Sequence, residues 1–252
     1  MTNNMYYGIG LPYLKINKKS LRGKLIVIEG ADCSGRSTQI AMLKEWLESS
    51  GHAVSVTGLR RSGLVGEAIE EAKQGNTLGK NTLSLLYATD FADQLENQII
   101  PALKAGFIVL ADRYIFTLMA RDLVRGADKV WLQELFGFAL VPDYSFYMRA
   151  DPEMLLHRAL IKYGQLDYWE SGMDTCLSSD MFESFVKYQG QLKEEFDKLA
   201  IDYGFDVIDA SKSPGEIQDH LRNKITALLE MNCTPVKEKA APKVKAKPVV
   251  KK

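Results

Sequence analysis

From Lys24 onward, short apolar runs alternate with longer stretches in which apolar residues recur at helical spacing. The apolar runs predict strands at 24–29, 53–57, 107–111, 144–149 and 205–210. The intervening periodicity predicts helices near 36–50 and 64–74 and further helix starts at Asp151-Pro152 and at Ser213-Pro214-Gly215-Glu216, a capping box. Strands that alternate with helices and are apolar enough to be covered on both faces are typical of parallel sheets. The pattern therefore predicts an α/β fold of three layers in one domain.

The longest helical pattern lies between the second and third strands. Its apolar residues follow one another four positions apart: Leu83, Tyr87, Phe91, Leu95, Ile99 and Leu103. This spacing predicts one long helix with a continuous apolar stripe that packs against the core. We expect Gly106 to end the helix.

Composition narrows the class of protein. The chain has 252 residues, of which 46% are hydrophobic and 25% charged, as in ordinary globular proteins. Collagenous, coiled-coil and wholly disordered proteins are excluded. No apolar run approaches the length of a membrane span, and the first ten residues have no secretory signal pattern, so we expect a cytoplasmic protein without a membrane contact.

Both ends of the chain differ from the part between them. Residues 235–252 hold seven Lys and one Glu and no aromatic residue, so we expect a disordered tail over 231–252. The tail is either an arm that contacts anionic surfaces such as nucleic acid or a solvating appendage without a specific partner. Residues 1–23 suit an irregular strap packed on the body, which leaves 24–230 as the folded domain.

A glycine-rich segment follows the first predicted strand. It has the spacing of a phosphate-binding loop and runs through Gly30, Ala31, Asp32, Cys33, Ser34, Gly35, Arg36, Ser37 and Thr38. Such loops direct backbone N–H groups at phosphate oxygens beside a helix N-terminus. Arg36 stands where a lysine is usual, which keeps the charge but changes its shape, and the Ser37 hydroxyl is placed to bind Mg²⁺.

The third predicted strand ends in Asp112-Arg113-Tyr114. In parallel α/β sheets, ligands bind beyond the carboxyl ends of the strands, so this pair faces the same crevice as the glycine-rich segment. Asp112 is a candidate to hold Mg²⁺, and Arg113 is a candidate to hold a phosphate.

Several segments together resemble thymidylate kinases, in the same order and with similar spacing. They are KLIVIEGADCSGRSTQ, LLYATDFADQLENQIIPAL, GFIVLADRY and LLHRALIKYGQLDYWE, and the resemblance covers about residues 24–228. It implies a P-loop nucleoside-monophosphate kinase with a five-stranded parallel sheet, which uses ATP and Mg²⁺ and forms a homodimer. It also implies that Asp32 lies near the acceptor nucleotide, that Arg113 grips the 5′-phosphate of that nucleotide, and that Arg158 supplies transition-state charge.

The same segments depart from the family pattern at several positions. Gly58 and Leu59 stand where the family has an Arg and a Glu, which makes Arg60 and Arg61 candidates to supply the charge. Phe91 occupies the usual position of a thymine-contacting Arg, where it either stacks on a base or packs in the core. Tyr87 is a second candidate to stack on the base, and Arg121 replaces a Tyr of the base pocket.

These residues predict an enzyme that transfers a phosphoryl group from ATP to a nucleoside monophosphate, with dTMP the first expectation. Arg36, Asp112, Arg113 and Arg158 are the predicted catalytic residues. The altered pocket leaves two alternatives open. One is a kinase with another acceptor, either a different nucleoside monophosphate or one linked to polyphosphate. The other is a nucleotide-binding sensor or scaffold with little turnover.

Overall fold

The computed structural model describes residues 5–11, 13–14, 16–75 and 78–230. The sheet has five parallel strands, at Lys24–Gly30 (β1), Val54–Gly58 (β2), Ile108–Asp112 (β3), Tyr144–Arg149 (β4) and Asp206–Asp209 (β5). Their order across the sheet is β2-β3-β1-β4-β5. The predicted α/β fold is thereby confirmed. The predicted tail lies outside the described residues.

Helices cover both faces of this sheet. They are Arg36–Ser49 (α1), Gly66–Gly75 (α2), Lys80–Gln94 (α3), Ile100–Ala105 (α4), Ile115–Val124 (α5), Lys129–Leu135 (α6), Pro152–Tyr163 (α7), Met181–Tyr203 (α8) and Pro214–Glu230 (α9). On one face, a core around Val27, Val109 and Tyr147 packs against α3, α5 and α8. On the other face, Ile26 and Ile28 join a core that includes α1 and α9. Alternate residues of β1 thus enter opposite cores, as its uninterrupted apolar pattern requires.

The predicted long helix is divided. A π-helical turn at Leu95–Ile99 joins α3 to α4, and Gly106 ends α4 with a left-handed φ of 92°. A stripe of residues four apart drifts around an α-helix of about 3.6 residues per turn by about 40° per step. One wider turn offsets part of this drift, so Leu95, Ile99 and Leu103 all stay buried.

Local chemistry fixes the start of two further helices. Ser213 and Glu216 form the predicted capping box, in which Glu216 N donates to Ser213 Oγ at 3.3 Å and Ser213 N donates to Glu216 Oε2 at 3.0 Å. Asp151 is the N-cap residue of α7, but its carboxylate pairs with Lys193 instead of capping the helix. Pro152 at the first helical position therefore sets this start with its fixed φ.

The described part of the N-terminal segment lies along the connection between α6 and β4. Tyr7 N donates to Ala139 O at 3.1 Å, and Gly8 N donates to Gly137 O at 2.7 Å. The Tyr7 ring also packs edge-on against Phe116. These contacts place the segment on the body of the domain, away from the glycine-rich turn after β1.

Candidate active site

The turn between β1 and α1 opens a cleft at the carboxyl edge of the sheet. Gly30 has a φ of 145°, and a Cβ added there would lie 2.8 Å from the Met148 carbonyl oxygen, so only glycine fits. Gly35 adopts a φ of 98° as the N-cap residue of α1. This backbone brings the first N–H groups of α1 to the cleft, where the helix dipole favours an anion. We call this space, lined by 31–39 together with Arg158, Lys162 and Ala210, the phosphate-loop cleft.

Arg36 turns back beneath the loop that precedes it. Its Nη1 donates to the carbonyl oxygens of Gly30 and Ala31, and its Nε donates to Asp112 Oδ1 at 2.9 Å. The side chain is only 7% exposed. Arg36 therefore holds the loop to β3 as well as carrying positive charge under the cleft, a second role that a lysine has too few fixed donors to fill.

Asp112 joins Arg36 to Ser37. Ser37 Oγ donates to Asp112 Oδ2 at 3.0 Å, so a hydroxyl and a carboxylate lie side by side at the mouth of the cleft. Burial alone would raise the pKa of Asp112, but the charge and hydrogen bond of Arg36 outweigh it and lower the pKa. Asp112 is thus an anion near neutral pH. Hard oxygen ligands of this kind fit Mg²⁺.

Arg158 reaches the same cleft from α7. Its Nη2 donates to Ala210 O at 3.0 Å, and its Nη1 lies 3.4 Å from Ser34 O. Ser34 Oγ is buried and has no hydrogen-bond partner within the described residues. The cleft therefore contains a cation on each side of the loop and a hydroxyl that still lacks a partner.

A second space lies deeper, on the other side of Asp32. Its walls come from α3, α5, α8 and the segments at 60 and 169–170, and we call it the inner pocket. Asp32 lines both the inner pocket and the phosphate-loop cleft. The two spaces therefore meet at this carboxylate.

Asp32 is held by two arginines, one directly after β3 and one in α5. Arg113 Nη2 donates to one of its oxygens, and Arg121 Nη2 donates to the other at 2.8 Å. Burial alone would raise the pKa of Asp32, but the charges of Arg113 and Arg121 outweigh it and hold that pKa well below its usual range. Two cations against one anion leave excess positive charge. Arg113 Nε, moreover, is buried without a partner among the described residues.

The segment after β2 forms another wall. Arg60 lines the inner pocket with a left-handed φ of 59°, and Arg113, which lines it too, has a φ of 73°. Asp90 fixes the segment by accepting from Arg60 N at 2.8 Å and Ser62 N at 2.9 Å. Positive φ at a residue other than glycine is costly and is found where the surroundings enforce it. Asp90 was not predicted, because a lone acid within an apolar stripe carries no motif.

The residues predicted to contact the base do not all line the inner pocket. Tyr87 lines the inner pocket, as does Arg121. Phe91 instead packs in the core, with its ring 4.8 Å from that of Tyr114. Arg61 is exposed and its Nη1 lies 3.4 Å from Val56 O, so of the two predicted arginines only Arg60 reaches the pocket.

The segment after α7 closes the inner pocket from above. Trp169 Nε1 donates to Lys73 O at 3.1 Å, and Glu170 lines the pocket beside it. Burial, then the nearby charge of Asp32, raises the pKa of Glu170 to about 7. Arg125 anchors the segment through two hydrogen bonds to Asp174, at 2.7 and 3.0 Å.

Comparisons with known proteins agree with this arrangement. The family model described as thymidylate kinase matches residues 28–221. The probable thymidylate kinase 2 of Saccharolobus solfataricus is 39% identical over 203 residues, which are 80% of this chain and 95% of that protein. The probable thymidylate kinase of Pyrococcus horikoshii is 30% identical over 71% of this chain and 84% of its own length. The thymidylate kinase of Halothermothrix orenii is 30% identical over 83% and 99% respectively. Both pockets lie within the matched residues.

Proposed function

The chain belongs to the thymidylate kinase family, and we propose on that premise that it transfers the γ-phosphoryl group of ATP to the 5′-phosphate of dTMP. The observation that carries the proposal is that the phosphate-loop cleft and the inner pocket meet at Asp32. A donor phosphate held in the first and an acceptor phosphate held in the second are neighbours across that residue. In-line phosphoryl transfer depends mainly on such positioning and on charge stabilisation.

The arginines around Asp32 receive the acceptor phosphate. Arg113 uses one nitrogen for Asp32 and has Nε free for a phosphate oxygen. Arg121 adds a second positive charge to the same pocket. Asp32 keeps both guanidinium groups in place, since charge-assisted pairs have defined geometry. The Tyr87 ring supplies a flat surface for the base of the nucleotide.

The loop residues receive the triphosphate of ATP. Backbone N–H groups of 31–37 surround the phosphates, Arg36 fixes the loop, and Arg158 adds charge from α7. Ser37 and Asp112 are the residues that would hold Mg²⁺ with the nucleotide, where it would neutralise charge on the phosphates. The segment at 169–170 covers the acceptor and keeps water out of the inner pocket.

The assembly and location of the protein are part of the same proposal. The family likeness supports a homodimer that works in the cytoplasm, where ATP and nucleotides are available. Within the described residues, no helix has both the length and the apolar character needed to cross a bilayer. Contact between the lysine-rich tail and anionic surfaces stays a prediction.

The test is ADP formation by the purified protein with ATP and Mg²⁺, against a panel of ribo- and deoxynucleoside monophosphates. We expect dTMP to give the highest kcat/KM. A clear preference for another nucleotide would overturn the acceptor but not the reaction. Absence of ADP with every acceptor, while ATP still binds, would favour a nucleotide sensor.

A further inference from the structure

One wall of the inner pocket contains the side-chain amide of Gln189, whose nitrogen has a hydrogen-bond partner and whose oxygen has none among the described residues. Gln189 lies in α8, is 2% exposed and lines the pocket. Its Nε2 donates to the carbonyl oxygen of Glu170 at 2.7 Å. Its Oε1 is buried and has no hydrogen-bond partner among the described residues. The sequence pattern did not single out Gln189.

The orientation of this amide follows from its partner. The Glu170 carbonyl can only accept a hydrogen bond, so the nitrogen of Gln189 must face it and the oxygen must face away. A buried acceptor without a donor is unfavourable, and most such groups in proteins are satisfied by a ligand or by water. Gln189 therefore offers a fixed acceptor to whatever fills the pocket.

Several other polar groups of the inner pocket are already engaged. Asp32 accepts from two arginines, and the Tyr188 hydroxyl accepts from Arg125 Nη1 at 2.8 Å. A hydrogen bond from Ser84 to Asp122 is among the contributions to the pKa of that carboxyl. Gln189 Oε1 is thus a buried acceptor of this pocket that no described residue satisfies.

The surroundings indicate which donor it takes. The aromatic ring of Tyr87 and the side chains of Leu118 and Leu192 line the same pocket and suit a flat ring. A thymine ring presents one donor, N3–H, between two carbonyl oxygens. An oxygen acceptor in a pocket that Arg121 and Arg125 also line complements that edge.

We propose that Gln189 Oε1 accepts the hydrogen bond of thymine N3–H and that Gln189 is a specificity-determining residue for the acceptor base. The inference rests on the proposed function, since the ring is that of dTMP. A site built to hydrogen-bond an N–H group rejects analogues that lack it, because the buried acceptor is then left unpaired.

The test compares dTMP with N3-methyl-dTMP in the wild-type protein and in Gln189→Ala. We expect the wild type to favour dTMP by about 100-fold or more in kcat/KM, as polar sites do against analogues that lack the donor. In Gln189→Ala, we expect the kcat/KM for dTMP to fall by about 10- to 100-fold, mainly through KM, because one buried hydrogen bond is lost. The preference for dTMP over its methyl analogue should shrink to within about 5-fold, because the acceptor and its bulk are both gone.

Gln191→Ala is the matched control, because Gln191 lies on the same helix and is exposed. It should match the wild type with both substrates. Binding of an ATP analogue at the phosphate-loop cleft and thermal melting verify that Gln189→Ala is folded. Gln189→Leu, which keeps more of the side-chain volume, provides a second variant if the alanine variant does not fold.

The outcomes separate this inference from the proposed function. If Gln189 only supports Glu170, both substrates lose the same factor and the preference is unchanged, which overturns the inference while dTMP kinase activity stands. If the wild type neither binds nor phosphorylates dTMP, the proposed function fails and the inference fails with it.

Discussion

The phosphate-loop cleft and the inner pocket are adjacent, but they are built in different ways. The cleft takes most of its polar atoms from one continuous segment, 30–38, whose cation Arg36 binds the carbonyls of its own loop. The inner pocket collects side chains from α3, α5 and α8, from Arg113 just after β3, and from the loops at 60 and 170. Its charges are held by long-range pairs such as Asp32 with Arg121.

This difference determines which substrate each region affects most. A loop held mainly by contacts among its own residues depends less on distant elements, so it suits a triphosphate that is the same in every reaction cycle. A pocket held by pairs between distant elements changes shape when one pair is lost. Changes in the inner pocket should therefore affect the acceptor more than ATP.

The largest effect is expected for Arg113→Ala. The substitution removes the unpaired Nε donor and one partner of Asp32, so kcat/KM for the acceptor should fall by about 100- to 1,000-fold, as for other preorganised transition-state donors. Steady-state kinetics with varied dTMP measure the loss. Arg149→Ala, which removes a more exposed arginine paired with Asp197, is the control and should stay within about 2-fold, as typical of surface pairs. A loss confined to the KM for ATP would contradict the assignment of Arg113 to the inner pocket.

The second-largest effect is expected for Arg36→Lys, which changes the hydrogen bonds that hold the loop of the cleft. In Arg36→Lys the ammonium cannot bond Gly30 O, Ala31 O and Asp112 in the same planar geometry, so we expect kcat/KM for ATP to fall by about 10-fold together with a lower melting temperature. Lys44→Arg, an exposed change on the same helix, should do neither. Activity equal to or above that of the wild type would mean that these hydrogen bonds of Arg36 are not needed for turnover.

A smaller effect is expected for Asp90→Asn, because Asp90 holds the backbone at Arg60. Asp90→Asn keeps the shape but leaves one accepting oxygen for Arg60 N, Ser62 N and Gln94 Nε2. We expect the KM for dTMP to rise about 5- to 10-fold and the free energy of unfolding to fall by about 1–3 kcal/mol, because a buried donor loses its partner. Urea unfolding and initial rates measure both quantities, with the exposed Asp219→Asn as control. An unchanged KM would show that Arg60 does not depend on this network.

The smallest effect is a pH dependence at Glu170. Its pKa is raised from 4.5 to about 7, first by burial and then by Asp32, so the folded protein holds this proton more tightly than the unfolded chain does. The stability that this proton confers is complete below pH 4.5 and is lost as the pH rises through about 7.

Thermal melts between pH 5 and 8 test this point in wild type, in Glu170→Gln and in the exposed control Glu194→Gln. Relative to Glu170→Gln, the melting temperature of the wild type should fall by several degrees across this range, because each kcal/mol of stability corresponds to about 2–4 °C in a domain of this size. Melting curves that stay parallel would show that Glu170 has an ordinary pKa.

The sequence predicts the cleft far better than the pocket for a physical reason. Five apolar runs and one glycine spacing are local patterns, and the strands and the loop lie where they predict. The positions of Asp90 and Gln189 depend on which distant backbone atoms each side chain meets. No periodicity encodes that information. Phe91 illustrates the limit, because its place on the apolar stripe fits equally well with a core residue and with a ring facing a base.

The order of strands in the sheet also determines when the phosphate loop can take shape during synthesis. β1 leads into the loop and lies between β3 and β4, so its two partners are residues 108–112 and 144–148. Contacts of such long sequence separation form slowly, since the intervening chain must first be brought together. A nascent chain that ends before β4 has already exposed the apolar strand β1 with one edge unpaired. Residues 5–8 then wait for 137–140 before they can dock. Both β1 and residues 5–8 thus lack a partner until residues 137–148 have been made, which makes this the period of greatest exposure to aggregation or to chaperones.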